Sequence, residues 1–242
     1  MQGDLGKSLI TRRDVSLELF DRIPETAYLA ITGMILSMLI AIPMGTLAAL
    51  KRNTYIDNSI QIMALIGISI PEFRFAIMAI LAFSLHLGWL LSSVYTNPLE
   101  NLWESLVYLL LPAIAIGFRQ AAYTTRLTRS SMPDEMNKEY VDTARSLGLG
   151  EGKVIYKYTL RNAIIPTLTI SGLQFTDLLG GTVVLESIFA WPGIGQVIFE
   201  AIIRRDYPMI QSDILVLGFF VVITNLVVDI AYRTLNPRVE LN

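Results

Sequence analysis

The sequence predicts an all-α fold, a polytopic helical bundle embedded in a membrane, on three observations. Hydrophobic residues make up 53% of the 242 and charged residues only 17%, with a mean hydropathy of +0.52; a soluble domain of this length needs a more charged surface. The apolar residues gather into about five blocks, each long enough to cross a hydrocarbon core of about 30 Å, which takes about 20 helical residues. Lysine and arginine crowd the connections on one side of those blocks, the pattern of a bilayer-spanning chain with a fixed orientation.

The blocks follow in order. Residues 1–25 carry Lys7, Arg12, Arg13 and Arg22 without an apolar core, so they form an extracytoplasmic N-terminal segment rather than a signal peptide. Residues 26–242 are the transmembrane domain. Thr26 to Leu50 holds no charge over 25 positions; Ala41, Gly45 and Ala49 make a small-residue stripe that permits close helix approach, and Pro43 is tolerable inside a bundle. The second block runs from Ser59 to about Leu91, interrupted by Pro71, Glu72 and Arg74. The third spans about Leu102 to Thr125, with Pro112 inside and Arg119 near its end. The fourth extends from Asn162 to about Phe189, with Pro166 early and Asp177 central. The last covers about Met209 to Leu235, and its short uncharged centre sets Asp213 and Asp229 near the two interfaces.

Five spans put the two ends on opposite sides. The connections Lys51–Asn58 and Arg119–Arg161 and the tail from Arg233 carry twelve Lys and Arg, against two in the connections near Ser92–Asn101 and Glu186–Ser212. The C-terminus and the loop of about 126–161 are thereby predicted to be cytoplasmic. The basic outer segment runs against that rule, which leads us to expect one further span upstream.

Composition excludes several functions. A net charge of −2 draws the chain to neither nucleic acid nor acidic substrates. Without cysteine, and with His86 as the single histidine, no thiolate nucleophile, disulfide framework or multi-histidine metal site can form within it. No catalytic residue, metal or cofactor is expected. Gly148–Lys153 looks like a phosphate loop, but Leu147 and Val154 stand where that motif needs a glycine and a Ser or Thr. Trp89, Trp103 and Tyr207 near span ends are interfacial anchors.

The cytoplasmic loop is the informative part. Glu139–Leu147 is predicted as a short helix, Gly148–Gly152 as a turn, and Lys153–Arg161 as a second helix entering the fourth span. Tyr140, Val141, Ala144 and Leu147 share one apolar face, which either docks on something else or packs beneath the bundle.

Asp142-Thr143-Ala144, Gly148 and then Tyr158-x-Leu160 resemble the EAA loop of binding-protein-dependent ABC transporter permeases. Tyr140–Pro166, the run Gly67–Phe73, Gly172–Glu186, Phe189–Gly195, Gly3–Gly6 with Ser8, and Asn225–Leu241 resemble more narrowly the dipeptide/oligopeptide/nickel branch, over essentially the whole chain. Asp142 and Thr143 depart from the family's Glu and Ala, and Tyr158 and Arg161 from its Ile and Pro. The resemblance implies a type I ABC importer permease fold with six spans in the family. It implies a transport subunit, not an enzyme, carrying peptides or a related solute (nickel, glutathione or an opine) through the bacterial or archaeal cytoplasmic membrane. It also implies partners: a second homologous permease, two ATPase subunits and an extracytoplasmic solute-binding protein.

Under that resemblance Tyr140, Asp142, Thr143, Ala144, Gly148 and Leu160 couple to the ATPase. Glu186, Trp191, Pro192 and Gly193 belong to an external gate, or to a re-entrant hairpin held by Pro and Gly. Charges within spans are costly, roughly 2.5–3.5 kcal/mol at a helix centre, so Glu72, Arg74, Arg119 and Asp177 are candidates for the translocation path or for pairing across helices. The rival class, an ion-gradient-driven secondary transporter, calls for paired carboxylates in repeated halves, and no internal repeat is present.

Overall fold

A computed structural model describes residues 5–89 and 101–235. The connection at 90–100 and the tail from 236 onward, both used in the charge count, lie outside the described residues. Among those described, regular structure is helical apart from one antiparallel bridge between Lys7 and Asp14.

Helix α1 is Val15–Leu50, about 54 Å at 1.5 Å per residue. It starts eleven residues before the uncharged block, because the charged stretch Glu18–Glu25 lies on an otherwise helical segment whose Val15 and Leu19 are buried against Ala201 and Met209. Hydropathy alone hides this extension. After a turn, α2 is Tyr55–Ser69 and α3 is Glu72–Ala79, continuing as a π-helical stretch Ile80–His86. The break is at Pro71: its ring forces Ile70 into an extended conformation (φ −84°, ψ 122°), and its carbonyl then accepts the N–H groups of Arg74 and Phe75.

Helix α4, Leu102–Met136, runs well past Thr125, with a polar C-terminal third. α5 is Glu139–Ser146; α6, Glu151–Lys153, continues as a π-helical stretch Val154–Thr159 and then as α7, Leu160–Gly181, with Pro166 inside. α8 is Val183–Phe189, α9 is Ile194–Arg204 and α10 is Tyr207–Leu235. Three helices, α1, α4 and α10, are long and apolar enough to cross a membrane. The broken pairs α2–α3 and α6–α8 each pass the same test as one span, giving the five that hydropathy predicts.

Internal contacts divide the chain into two units. The first comprises the described residues within 1–34, 71–117 and 175–226, with an apolar cluster of Val15, Leu19, Ala201 and Met209. The second comprises the described residues within 35–70, 118–174 and 227–242. There the predicted small-residue stripe is a packing face: Ala41 and Ala49 are buried, and a Cβ on Gly45 would lie 2.6 Å from that of Thr128 and 2.7 Å from the Thr125 carbonyl. No side chain fits at that crossing.

Candidate functional site

The second unit holds the loop singled out from sequence, and it is a helical hairpin. α5 ends where the N–H of Gly148 bonds the Arg145 carbonyl at 2.9 Å. Gly148 has φ +75°, a left-handed C-cap that glycine adopts without strain. The chain returns through α6, so that Val141, Ala144 and Val154 close a small buried cluster flanked by Tyr140 and Leu149. The apolar face of α5 is therefore spent inside the hairpin, on its own return arm. Leu147, assigned to that face by spacing, is 75% exposed, and Tyr156 is 63% exposed. Asp142 and Thr143 also face outward. Arg145 bridges Glu151 at 3.0 Å and Asp142 at 3.4 Å across the hairpin mouth; the carboxylates beside it raise its pKa above the ordinary value, Glu151 foremost.

Tyr140 roots this hairpin. Its hydroxyl donates to Glu135 Oε1 at 2.7 Å and accepts from Asn162 Nδ2 at 3.1 Å, tying α5 to the end of α4 and the start of α7. Burial, with the Glu135 charge beside it, raises its pKa, and the Asn162 hydrogen bond opposes the rise. Leu160 packs with Met136 and Ile155 against a cluster of Ala49, Met132 and Ala163. An ion pair that sequence reading missed lies in the same unit. Arg129 Nε and Nη2 each donate to Asp57 at 2.8 Å, with Asp57 buried and also accepting the Asn53 N–H at 2.9 Å. The only sequence signal was an acid in the first turn of α2.

The first unit holds the second candidate region, the corner joining α8, α9 and the start of α1. Ala190 turns in the left-handed region (φ 51°). Trp191, 2% exposed, donates from Nε1 to the Glu25 carbonyl at 3.0 Å and stacks on Tyr28, while Arg22 donates to the Pro192 carbonyl at 3.3 Å. Glu186 is fully buried, and its carboxylate accepts the hydroxyls of Thr26 and Thr182, each at 2.9 Å, and the N–H of Gln196 at 3.2 Å. The Gly195 N–H also bonds it, and the Ile194 N–H donates to Thr26 Oγ1 at 2.9 Å. The first three N–H groups of α9, which no helical carbonyl can satisfy, thus all have acceptors, with negative charge at the favourable helix end. A Cβ on Gly193 would strike both Glu186 and Thr26. Glu186, Trp191, Pro192 and Gly193 are thus brought together as one hairpin, held by Thr26, a residue whose role was not legible in sequence.

Two more carboxylates flank this corner. Asp206 accepts the Ser8 hydroxyl and the Leu9 N–H, clasping the segment before α1. Burial pushes its pKa up, but hydrogen bonds from Ser8, Leu9, Met209 and Ile10 outweigh it and hold the group below the ordinary carboxylate range. Asp213, predicted near an interface, is fully buried, close enough to Glu186 to feel its charge, and neither of its oxygens has a hydrogen-bond partner among the described residues.

The four candidate path charges differ in exposure. Arg74, Arg119 and Asp177 are exposed on the isolated chain and Glu72 is half-buried; Glu72 and Arg119 each engage neighbours within the chain. Among the described residues no group of three metal-ligating side chains converges.

Known proteins resemble this one over nearly its whole length. The chain is 40% identical to the dipeptide transport system permease protein of Alkalihalophilus pseudofirmus, covering 98% of this chain and 78% of that one. It is 39% identical to the glutathione transport system permease protein of Escherichia coli, over 99% and 76%. Identity to the oligopeptide transport system permease protein of Bacillus subtilis is 38%, over 99% and 77%. The fold matches a chain of the inward-facing MetNI methionine ABC transporter with a TM-score of 0.73 at 15% identity, over 91% of this chain and 97% of that one. It also matches a chain of an amino acid ABC transporter with a TM-score of 0.62 at 13% identity, over 90% and 94%. The all-α bundle predicted from sequence is thus the fold of an ABC importer permease. Residues 41–241 match the family described as binding-protein-dependent transport system inner membrane component, and the chain belongs to that family.

Proposed function

We propose that this protein is the membrane-spanning subunit of an ATP-driven importer that takes up peptides or a related small solute. The observation that carries the reading is the near-complete match to peptide and glutathione permeases, joined to a compact hairpin that leaves apolar Leu147 and Tyr156 in the open. Exposed apolar side chains on a polar loop suit a docking groove.

On this reading the hairpin is cytoplasmic, two ATPase subunits receive it, and a second permease and an external binding protein complete the assembly. ATP hydrolysis takes place in the partners. Closure of the ATPase pair displaces the hairpin; Tyr140 passes the displacement to α4 through Glu135 and to α7 through Asn162. The residues that position the hairpin (Val141, Ala144, Gly148) are distinct from those that touch the ATPase (Asp142, Thr143, Leu147, Tyr156). Arg74 and Asp177, exposed on apolar helices, belong on a water-filled path or against the second permease, since lipid would charge heavily for them. The Glu186 corner forms part of the external gate, with its carboxylate as the scaffold of the turn.

The test is Leu147→Glu in the complete transporter. The exposed site keeps the hairpin folded, so ATP-dependent uptake should fall at least about tenfold, a loss of the size expected when one interface anchor is removed, while the isolated ATPase subunits hydrolyse normally. Wild-type uptake in that variant overturns the coupling role. Uptake by the chain without any ATPase would replace the importer reading with that of a secondary transporter.

A further inference from the structure

One polar cleft in the second unit takes no part in the hairpin. It lies between α2 and α4, with a volume of about 440 Å³, and its walls carry Gln61, Tyr123, Arg126, Arg129 and Ser130 but no carboxylate. Its charge does not cancel. Arg129 is neutralised by the bidentate pair with Asp57, and the Ser130 hydroxyl is used by the Leu127 carbonyl at 2.8 Å. Arg126, exposed, takes part in none of the ion pairs formed among the described residues. The amide nitrogen of Gln61 is buried without an acceptor, an arrangement that costs free energy unless something occupies it. Tyr123, 47% exposed, adds a hydroxyl that bonds no other group among the described residues. Three unspent donors, one of them cationic, line a cleft that contains no negative charge.

We propose that this cleft binds a single oxyanion group, a carboxylate or a phosphate, with Arg126 as the charged anchor and Gln61 and Tyr123 as orienting donors. A guanidinium grips either group through two parallel hydrogen bonds, which an ammonium does not reproduce. Two sources present that chemistry here. Arg126 lies 23 residues beyond Trp103 on α4, about 35 Å along a helix, just past the hydrocarbon thickness of about 30 Å and so at the depth of lipid phosphates. The other source is the carboxylate of a solute in transit, and this arm rests on the importer reading.

The experiment uses the complete transporter in phosphatidylcholine nanodiscs with and without phosphatidylglycerol. Phosphatidylglycerol retained by the complex is read by native mass spectrometry; ATP-dependent uptake is read for a dipeptide and for its C-terminal amide. Arg126→Ala should lower at least about tenfold either lipid retention or uptake of the free acid relative to the amide. Arg126→Lys should recover part of the loss, and Gln61→Leu, which keeps the charge, should reproduce it in weaker form. A fall in lipid retention assigns the site to the headgroup; a fall in the acid-to-amide ratio assigns it to the solute. If neither quantity moves in Arg126→Ala and Gln61→Leu, the proposal is overturned. A wild-type complex that imports neither peptide yet loses phosphatidylglycerol on Arg126→Ala would sink the peptide-import reading and leave the oxyanion site standing.

Discussion

The two hairpins of this chain are built on opposite principles. The α8–α9 corner is stitched from within: one buried carboxylate satisfies four donors, and Trp191 and Pro192 fasten it to the start of α1. The α5–α6 hairpin closes over three buried side chains and is latched outside by solvent-exposed ion pairs. Buried, fully satisfied hydrogen-bond networks specify one geometry, whereas exposed pairs contribute little. The corner is therefore built to hold a shape, whereas the hairpin, on the proposed coupling role, has to stay folded while being pushed through its root at Tyr140.

Glu186→Ala is the hardest blow to that contrast. It strands two hydroxyls and two helix-terminal N–H groups, and should cost about 3–5 kcal/mol, seen as a large fall in the thermal unfolding temperature in nanodiscs. Its buried neighbour Asp213 should respond oppositely, since it has no partner to lose: Asp213→Asn should leave stability unchanged or raise it in the same assay. Ala144→Glu drives a carboxylate into the small hairpin cluster and should cost roughly 2–4 kcal/mol locally. Hydrogen exchange should accelerate across 139–159 and leave α8–α9 protected. Asp206→Ala should cost about 1–3 kcal/mol, read as faster exchange of the Leu9 and Ile10 amides. Because the folded pKa of Asp206 is depressed, its contribution is complete at neutral pH. It fades only as pH falls below the unfolded carboxylate value of about 3.9, so protection of those two amides should persist through mild acid. Arg145→Ala should be smallest, about 0.2–1 kcal/mol or less; a larger loss would show that the exposed latch matters more than its burial implies.

What could be read in advance follows from the range of each signal. Hydropathy is local, so the spans, the break at Pro71 and the turn at Gly148 were legible. The early start of α1 was not, because Glu18, Asp21, Arg22 and Glu25 mask a helical extension, residues 15–25, in which only Val15 and Leu19 are buried. Nor could sequence say which partner α5 would choose: an amphipathic face of four residues fits a neighbouring subunit or its own return arm equally well, and the arm took Val141 and Ala144. Pairings such as Thr26 with Glu186, Ser8 with Asp206 or Asp57 with Arg129 join residues 160, 198 and 72 positions apart, and no periodicity encodes them.

The crossing at Gly45 constrains how any push on α4 can travel. Backbone there lies directly against Thr128 and the Thr125 carbonyl, so axial slippage of α1 along α4 would run the flanking side chains into that contact. Packed surfaces of this kind yield in discrete steps rather than smoothly. Residues 35–50 and the 118–136 stretch of α4, which belong to one unit, are thus geared to travel together rather than to slide, with Gly45 as the tooth of the gear.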